Sequence, residues 1–388
     1  MFEIIDIVEP NSTVIKVIGV GGAGGNAVEH MIREGVQGVE FICCNTDAQA
    51  LKLSAAEVKL QLGPGQGAGG KPERARELAM QEREAIADAL DGAHMVFITA
   101  GMGGGTGTGA APVVAEVARE KDILTVAVVT KPFEFEGKRM RLAEEGLAEL
   151  QQYVDALIII LNEKLMEVLG DDVSMQDAFK AADNVLRNAV GGIAEIINVP
   201  GLVNVDFQDV RTVMGEMGKA MMGSATAAGV DRARIAAEEA VASPLLEGIE
   251  LSGARGVLVN ITASRQLGMK EVKEVMNTIK AYTHDEATVI FGTVFDDGME
   301  DRLRVTVVAT GLGGKIAKPR LETVPTYSVR TGTDDWPYAE SMAAPVVDAG
   351  MPQVFTSGRG RGNAAVDAMA ASGVDKYDIP AFLRRQAD

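Results

Sequence analysis

Short apolar runs alternate with amphipathic stretches over the first 160 residues of the chain. The runs are rich in Val and Ile, and the stretches between them carry apolar residues at helical spacing. This alternation is typical of a mostly parallel, Rossmann-like sheet with helices on both faces. The predicted strands are Val14–Val20, Val39–Cys44, Met95–Ala100, Leu124–Thr130 and Ala156–Leu161. The predicted helices are Asn26–Glu34, Pro72–Leu90, Pro112–Glu120 and Leu142–Gln152.

A long helical pattern, roughly Ser174 to Asn198, then leads into a second α/β block. Its helical patterns are Arg232–Val241 and Lys270–Ala281, and its strand patterns are Gly256–Ala263, Thr288–Phe295 and Arg302–Ala309. Because these strands occur at both alternating and adjacent spacing, we predict a mixed sheet. The long helix would then join two α/β domains.

The character of the chain changes after residue 314. Residues 315–374 are rich in Pro, Gly, Ala, Ser and Thr without sustained periodicity, which predicts a disordered linker. Residues 375–388 regain apolar side chains and are interpreted as a short recognition peptide. The predicted units are a first α/β domain over 12–173, the central helix over 174–200, a second α/β domain over 201–314, the linker and the terminal peptide.

Composition narrows the range of partners. The formal net charge is −18, which argues against nucleic-acid binding through several Lys or Arg contacts to phosphates. A nucleotide ligand remains compatible, because backbone N–H groups and a bound cation hold phosphates as well. The adjacent Cys43 and Cys44 lie in a mostly apolar run and are predicted to be buried strand residues rather than a bridge or a metal site.

No targeting or membrane signal is recognised in the sequence. The segment Met1–Pro10 is acidic and lacks a basic leader region. No apolar run approaches the length of a membrane span. We therefore expect a cytoplasmic protein without direct membrane insertion.

The first glycine loop, Gly19–Gly24, fits G-x-G-x-x-G between a predicted strand and a predicted helix. An acidic residue, Glu40 or Asp47, follows about twenty residues later, as a dinucleotide-binding fold requires. Taken alone, this loop favours a nicotinamide-dependent dehydrogenase, with a simple tight turn as the alternative.

The second glycine loop, Gly65–Lys71, nearly matches a phosphate-binding P-loop. The match fails at the last position, where Pro72 offers no hydroxyl to Mg²⁺. Pro72 is better explained as a first-turn residue of the following helix. We therefore predict that this segment is not a P-loop.

The third glycine loop, Gly101–Gly109, decides between these interpretations. It follows an apolar strand and leads into a helix, so its successive N–H groups and the positive end of that helix converge. This arrangement suits a di- or triphosphate, with the hydroxyls of Thr106 and Thr108 as further donors. A dehydrogenase has no use for a second phosphate loop here.

The GGGTGTG sequence within the third loop resembles the signature of the tubulin/FtsZ superfamily of GTPases. Similarity to FtsZ-like members extends over about residues 12–313 and the terminal peptide. Further matching stretches are Gly21–Asn26, Asn45–Ala50, Thr130–Phe133, Gly201–Asp206, Val210–Val213, Ser252–Gly256 and Asp378–Leu383. The resemblance implies a GTPase domain, a long central helix and a second, GTPase-activating domain.

The resemblance also assigns site residues, by their numbers in this chain. The phosphates of GTP or GDP, accompanied by Mg²⁺, would be held by Gly21, Gly22, Ala23, Gly24, Gly25, Asn26, Gly103, Gly104, Gly105, Thr106, Gly107 and Thr108. Glu136 and Arg139 would contact the nucleotide, Glu136 at the ribose. Phe179 would stack on guanine and Asp183 would accept from its N1–H and 2-amino donors, which adenine does not present together. Without the resemblance, Phe179 reads as a core residue and Asp183 as a solvated acid.

The segment Asn204–Asp209, the carboxylate loop, matches the loop that FtsZ-like proteins insert into a neighbour's nucleotide site. Asn204, Asp206 and Asp209 are the implied catalytic residues, with the two carboxylates positioning and polarising the attacking water. A structural alternative is that Asp206 caps the next helix and Asp209 favours its dipole.

Two departures from the family pattern leave alternatives open. The segment Glu136–Arg141 lacks one residue, so Arg141 competes with Arg139 as the nucleotide contact. The glycine loop over residues 63–71 is shorter than its counterpart near the γ-phosphate.

The implied function is GTP-dependent, head-to-tail assembly into the filaments of the bacterial cell-division ring at mid-cell. Implied partners are further copies of the chain, assembly regulators, and membrane-tethering adaptors such as FtsA or ZipA. Ile379, Pro380, Phe382 and Leu383 in the terminal peptide would bind those adaptors. A filament protein that binds GTP without hydrolysing it is a further hypothesis, which the paired carboxylates disfavour.

Overall fold

The computed structural model describes residues 13–170, 173–199, 201–216, 218–243, 253–284 and 286–312. The predicted linker over 315–374 and the terminal peptide lie outside the described residues, so the predicted disorder of the tail stays a prediction.

The described strands form a single eleven-stranded sheet in the order β3-β2-β1-β4-β5-β6-β8-β11-β9-β10-β7. In chain order the strands are β1 (Ile15–Val20), β2 (Glu40–Asn45), β3 (Val58–Gln61), β4 (Met95–Gly101), β5 (Leu124–Lys131), β6 (Ala156–Leu161), β7 (Gly201–Val203), β8 (Gly218–Ala228), β9 (Gly256–Ala263), β10 (Thr288–Phe295) and β11 (Arg302–Leu312).

Eleven α-helices occur in the same described residues. They are α1 (Gly21–Arg33), α2 (Ala48–Leu53), α3 (Pro72–Gln81), α4 (Arg83–Ala89), α5 (Thr106–Glu120), α6 (Lys138–Leu150), α7 (Asn162–Leu169), α8 (Met175–Asn198), α9 (Phe207–Met214), α10 (Arg232–Val241) and α11 (Met269–Lys280). Short 3-10 helices lie at Glu134–Glu136 and Asp297–Met299.

The predicted fold class is confirmed in both halves of the sheet. All neighbouring strands from β3 to β6 are parallel. The second half is mixed: β11 is antiparallel to β8 and β9, while β9 and β10 are parallel. A short parallel pairing of β6 with β8 joins the halves into one sheet. The domain boundaries proposed from the sequence stay predictions.

The side chains of the first half divide into two cores, one on each face. Because successive side chains of a strand point to opposite faces, Met95 and Phe97 of β4 join one core and Val96 and Ile98 join the other. The first core is covered by α1 and α8, and the second by α5 with parts of α3, α4 and α6. The cysteines follow the same rule, and both are buried free thiols, as predicted.

Several element boundaries differ from the sequence-based expectation. α1 and α5 begin at Gly21 and Thr106, well before the predicted starts at Asn26 and Pro112. The predicted helix Pro72–Leu90 is divided at Glu82 into α3 and α4. The glycine-rich first turns carry little intrinsic helix propensity, and contacts between the loops hold them in helical form.

Strand β8 was missed because its residues, GKAMMGSATAA, are small and lack β-branched runs. It forms because β11 pairs with it from Lys219 to Ala228 and β6 pairs with its first residues. Tertiary pairing therefore overrides local propensity in this strand.

Candidate functional site

The first and third glycine loops follow β1 and β4, neighbouring parallel strands, and meet at the carboxyl edge of the sheet. A Cβ on Gly21, whose φ is +77°, would lie 2.9 Å from the amide nitrogen of Gly107. A Cβ on Gly24 would lie 2.3 Å from the carbonyl oxygen of Thr99. Glycine is required at both positions because another backbone occupies the space of a side chain.

Two helix N-termini open side by side at this edge. The N-caps of α1 and α5, Val20 and Gly105, make no side-chain hydrogen bond to the first turn. Gly22 and Gly104 have open space where a Cβ would stand. Uncapped N–H groups at two converging helix dipoles suit a bound phosphate chain.

The hydroxyls of the third loop act within the protein. Thr108 is only 3% exposed, and its hydroxyl accepts from the amide of Gly103 at 2.9 Å. The Thr106 and Thr46 hydroxyls lie 2.7 Å apart. Thr108 therefore shapes the loop, and the predicted role of both threonines as phosphate donors stays a prediction.

The second glycine loop packs against the third. A Cβ on Gly105 would lie 3.1 Å from the amide nitrogen of Lys71, and one on Gly109 would lie 2.0 Å from the carbonyl oxygen of Pro72. Pro72 is the first residue of α3, as predicted. The loop supports the wall of the site rather than forming a P-loop.

Glu136 and Arg139 are paired with each other. The Glu136 carboxylate accepts from the amide of Phe133 at 3.2 Å and from the Arg139 guanidinium at 2.5 Å. Arg139 also brings its backbone oxygen close to Gly103, where a Cβ would lie 2.6 Å away. The backbone of Arg139 thus adjoins the third loop, and the choice between Arg139 and Arg141 as the nucleotide contact stays open.

Three phenylalanines lie beside this pair. Phe133 and Phe135 are stacked at 5.3 Å between ring centroids, and the Phe179 ring meets Phe133 edge-on at 6.1 Å. Phe179 is 46% exposed, so the sequence-based alternative of a core residue is wrong, and its ring is open to stacking. Phe135, at 76% exposed, was not singled out from the sequence, because its exposure arises from the 3-10 turn that carries it.

Asp183 lies one turn further along α8 than Phe179 and is half-buried. Burial raises the pKa of this carboxyl from 3.8 to about 6, and nearby His30 partly offsets that rise. No hydrogen bond or ion pair engages its side chain within the described part of the chain. A half-buried carboxylate without donors is suited to a ligand that supplies them.

Asn162 was missed by sequence reasoning. It begins α7 directly after β6, at the same carboxyl edge, and its side-chain oxygen is buried without a hydrogen-bond partner. No local pattern marks an asparagine in this position.

The carboxylate loop is built around a helix cap. The Asp206 carboxylate accepts from the amides of Gln208 and Asp209, at 2.6 and 3.0 Å, which confirms the capping prediction. Asn204 accepts from the amide of Gly201 at 2.7 Å. Asp209 is exposed, and its carboxylate has no hydrogen bond or ion pair among the residues described.

The carboxylate loop lies at the opposite edge of the parallel strands from the glycine loops. Helix α9, which it opens, contacts His94 and Asp122, and these residues precede β4 and β5. Central helix α8 spans the two edges, because Phe179 meets the segment after β5 whereas Asn198 donates to the carbonyls of Thr13 and Gly38, ahead of β1 and β2. The seven residues of β4 separate the edges by about 20 Å.

A metal ion held by the protein alone needs several ligating side chains close together. No group of three or more His, Cys, Asp or Glu side chains suited to a metal occurs in the described ranges. Mg²⁺ typically combines one or two carboxylates with substrate phosphates, and the predicted Mg²⁺ stays a prediction. None of the described helices combines the length and apolar character that a membrane crossing requires.

Comparison with known proteins places these features in a family. Residues 14–170 match the GTPase domain of the Tubulin/FtsZ family, and residues 218–313 match the C-terminal domain of the FtsZ family. The chain is 54% identical to the cell division protein FtsZ of Pseudomonas putida, with both chains covered completely. It is 59% identical to that of Coxiella burnetii over 81% of this chain and 82% of the relative.

Solved structures agree with the sequence comparison. An FtsZ dimer from M. jannaschii matches with a TM-score of 0.74 and 43% identity, over 77% of this chain and 88% of that one. A protofilament of CetZ2 from Haloferax volcanii, 22% identical, shares the fold with a TM-score of 0.66 over 78% of this chain and 94% of that one. Both matched domains, joined by the central helix, belong to one family, and the first of them contains the paired glycine loops. This chain is therefore a member of the FtsZ family of tubulin-like GTPases.

Proposed function

We propose that this chain hydrolyses GTP between subunits: one subunit binds the nucleotide and the carboxylate loop of the next completes the site. The observation that carries this proposal is the separation of about 20 Å between the glycine loops and the carboxylate loop, across the length of β4. Asp206 and Asp209 lie too far away to act on their own subunit's nucleotide. A second copy, stacked head to tail, supplies them without any change in the fold.

The glycine loops and the adjoining residues bind the nucleotide in this proposal. The uncapped starts of α1 and α5 hold the phosphates, with Mg²⁺ arriving on the nucleotide. Glu136 contacts the ribose, and Arg139 contacts the nucleotide beside it. Nucleotide binding therefore requires the ion pair between these two side chains either to break or to include the nucleotide as a third partner. The exposed Phe179 ring stacks on the base.

Asp183 provides the selection for guanine. Its carboxylate has no donor among the described residues, and guanine offers two adjacent donors, N1–H and the 2-amino group. Adenine offers no such pair, so its complex would leave the carboxylate unpaired, which is costly in a half-buried site. The dehydrogenase hypothesis is set aside, because residues 14–170 match a GTPase domain.

The two carboxylates have different tasks. Asp206 uses one oxygen to hold the start of α9 and thereby fixes the position of the loop. Asp209, which is exposed and unpaired in the described structure, is the better placed to accept a proton from, or to orient, the attacking water. General-base work of this kind typically contributes about 10²–10⁴-fold in rate.

Head-to-tail contacts that do not close on themselves build filaments. Since the relatives at 54% identity are named cell division proteins, we propose that these filaments form the division ring in the cytoplasm at mid-cell. Adaptors such as FtsA or ZipA would bind Ile379, Pro380, Phe382 and Leu383. That part of the proposal rests on the sequence alone.

The test compares GTP hydrolysis with assembly. Phosphate release and light scattering are measured together over a range of protein concentrations, with GTP, GDP, ATP and NAD. We expect activity per molecule to rise with concentration above a threshold, and only with GTP. Specific activity that stays flat upon dilution far below the assembly threshold would contradict a site shared between subunits.

A further inference from the structure

Apolar anchors hold the carboxylate loop and α9 against the sheet, and Val213 and Met214 of α9 are buried among them. Val205 and Val210 are buried, and Phe207 packs against the same core. Asp206 and Asp209 lie between these anchors and are exposed. Contacts between the outer side of α9 and the neighbouring amino edge act in addition to these anchors.

The first such contact joins Phe207 to His94. The two rings meet edge to face, with centroids 6.1 Å apart and an angle of 72°. The His94 ring is itself held in place, because its Nδ1 accepts from the amide of Val14 at 3.1 Å. The His94 amide also donates to the Val14 carbonyl at 2.9 Å, which ties the residue to the start of β1.

The second contact is an ion pair between Arg211 and Asp122, with Nη2 and Oδ1 2.8 Å apart. Arg211 lies four residues after Phe207, so both side chains project from the same face of α9. Asp122 belongs to the turn before β5 and has a φ of +56°. The pair is exposed, at 41% and 87%, and exposed pairs add little to stability. The pair therefore links α9 to the turn before β5 while adding little to stability.

We propose that His94 and Asp122 are positioning residues that hold the carboxylate loop in the direction in which it completes the neighbour's site. Two contacts four residues apart along one helix face join α9 to the turns before β4 and β5, and together with the buried Val210, Val213 and Met214 they restrict its rotation and its place along the sheet edge. The inference rests on the proposed function. In this arrangement the carboxylate loop is held against the residues that precede β4 and β5. The other ends of these two strands carry the subunit's own nucleotide-binding segments.

The ion pair is tested in the full-length chain with Asp122→Asn, Arg211→Gln and the double variant. Asparagine is chosen because it tolerates a positive φ. Misplacement of a reacting group by about 1 Å costs up to about 10²-fold, and we expect each single variant to lower turnover per assembled subunit by about tenfold. The double variant should fall no further, because both substitutions remove the same contact. GTP affinity and the unfolding temperature should stay at wild-type values.

Asp91→Asn is the matched control. Asp91 lies on the same amino edge and forms a similarly exposed ion pair with Lys121, with Oδ1 and Nζ 3.0 Å apart. Neither residue of this pair belongs to α9. Loss of a surface charge alone should therefore act equally in Asp91→Asn and Asp122→Asn. Equal losses of turnover in the two variants would refute positioning by Asp122.

The ring contact is tested with His94→Ala and His94→Phe. We expect His94→Ala to lower turnover about tenfold and His94→Phe, which keeps a ring against Phe207, to restore most of it. Filaments that mix Asp122→Asn and wild-type subunits give a second measurement, which misfolding of the variant does not reproduce. In these filaments, Asp122→Asn subunits should lower the GTP turnover of the wild-type sites that they contact. If His94→Ala proves unstable, His94→Phe and Asp122→Asn decide the matter.

The outcomes separate this inference from the proposed function. Wild-type turnover in the Asp122, Arg211 and His94 variants, alongside loss of turnover in Asp209→Ala, would overturn the inference and leave the shared site standing. Wild-type turnover in Asp209→Ala as well would overturn the shared site itself.

Discussion

Replacing Asp209 with alanine separates a catalytic role from a structural one. The cap of α9 is supplied by Asp206, which accepts from two amides of the first turn. Asp209 itself is exposed and has no hydrogen bond or ion pair within the described residues. Its structural contribution is limited to the helix dipole, so Asp209→Ala should cost at most about 1 kcal/mol of folding stability.

The catalytic loss should be much larger than the loss of stability. If Asp209 orients or deprotonates the attacking water, its removal costs the general-base factor of about 10²–10⁴, which is about 3–5 kcal/mol of transition-state stabilisation. GTP binding should be nearly unchanged, because the glycine loops lie about 20 Å away at the other edge of β4. Filaments should consequently become more stable, since the GTP that favours them persists.

The assay mixes Asp209→Ala subunits with wild type at constant total protein and measures phosphate release and co-sedimentation. Each mutant subunit should silence the wild-type site that it abuts, so activity should fall in proportion to mutant–wild-type contacts. Glu84→Ala is the control, because Glu84 is an exposed acid in the first turn of α4. Wild-type activity that is unaffected by mutant subunits, confirmed to be in the same filaments, would refute a carboxylate that acts across the interface.

Two further predictions concern single residues of the described structure, and a third concerns the terminal peptide known from the sequence alone. Gly24→Ala places a Cβ 2.3 Å from the Thr99 carbonyl oxygen and should destabilise the fold by about 1–3 kcal/mol. Gly22→Ala is the control: its Cβ meets open space, and in thermal melts it should unfold at the wild-type temperature. Burial raises the pKa of Asp183 from 3.8 to about 6, so the nucleotide-free protein should lose stability relative to Asp183→Asn as the pH rises from 3.8 to about 6. GTP affinity should increase over the same range, because the carboxylate ionises. Coinciding curves of stability against pH for the two proteins would contradict this. Deletion of residues 375–388 should abolish adaptor binding in pull-down experiments and spare GTP-driven assembly, and equal loss of both would count against the recognition peptide.

The sequence by itself determined the fold class and the family. Apolar runs of strand length between helical stretches specify a parallel sheet, because that pattern buries both faces of each strand. The third glycine loop carries the family signature and predicts a phosphate site, because its small residues follow a buried strand and open a helix. Both signals are local in the chain, and each depends on residues a few positions apart.

Only the tertiary structure decided how distant residues meet. The first turns of α1 and α5 are helical because Gly21 and Gly107 lie in contact, although they are 86 positions apart. Strand β8 exists because β11 and β6 pair with it, despite its low propensity. The Thr108 hydroxyl accepts from the amide of Gly103, a contact within the loop that the sequence did not predict.

The separation of the carboxylate loop from the glycine loops is likewise a property of the folded chain. Asp206 and the third glycine loop are about a hundred positions apart in the sequence, and such spacing leaves open whether they meet within one subunit. The contacts of α9 with His94 and Asp122 settle its edge of the sheet, because parallel strands fix which residues precede and follow them. Composition and periodicity carry no record of this arrangement, since it arises from packing between elements distant in the chain.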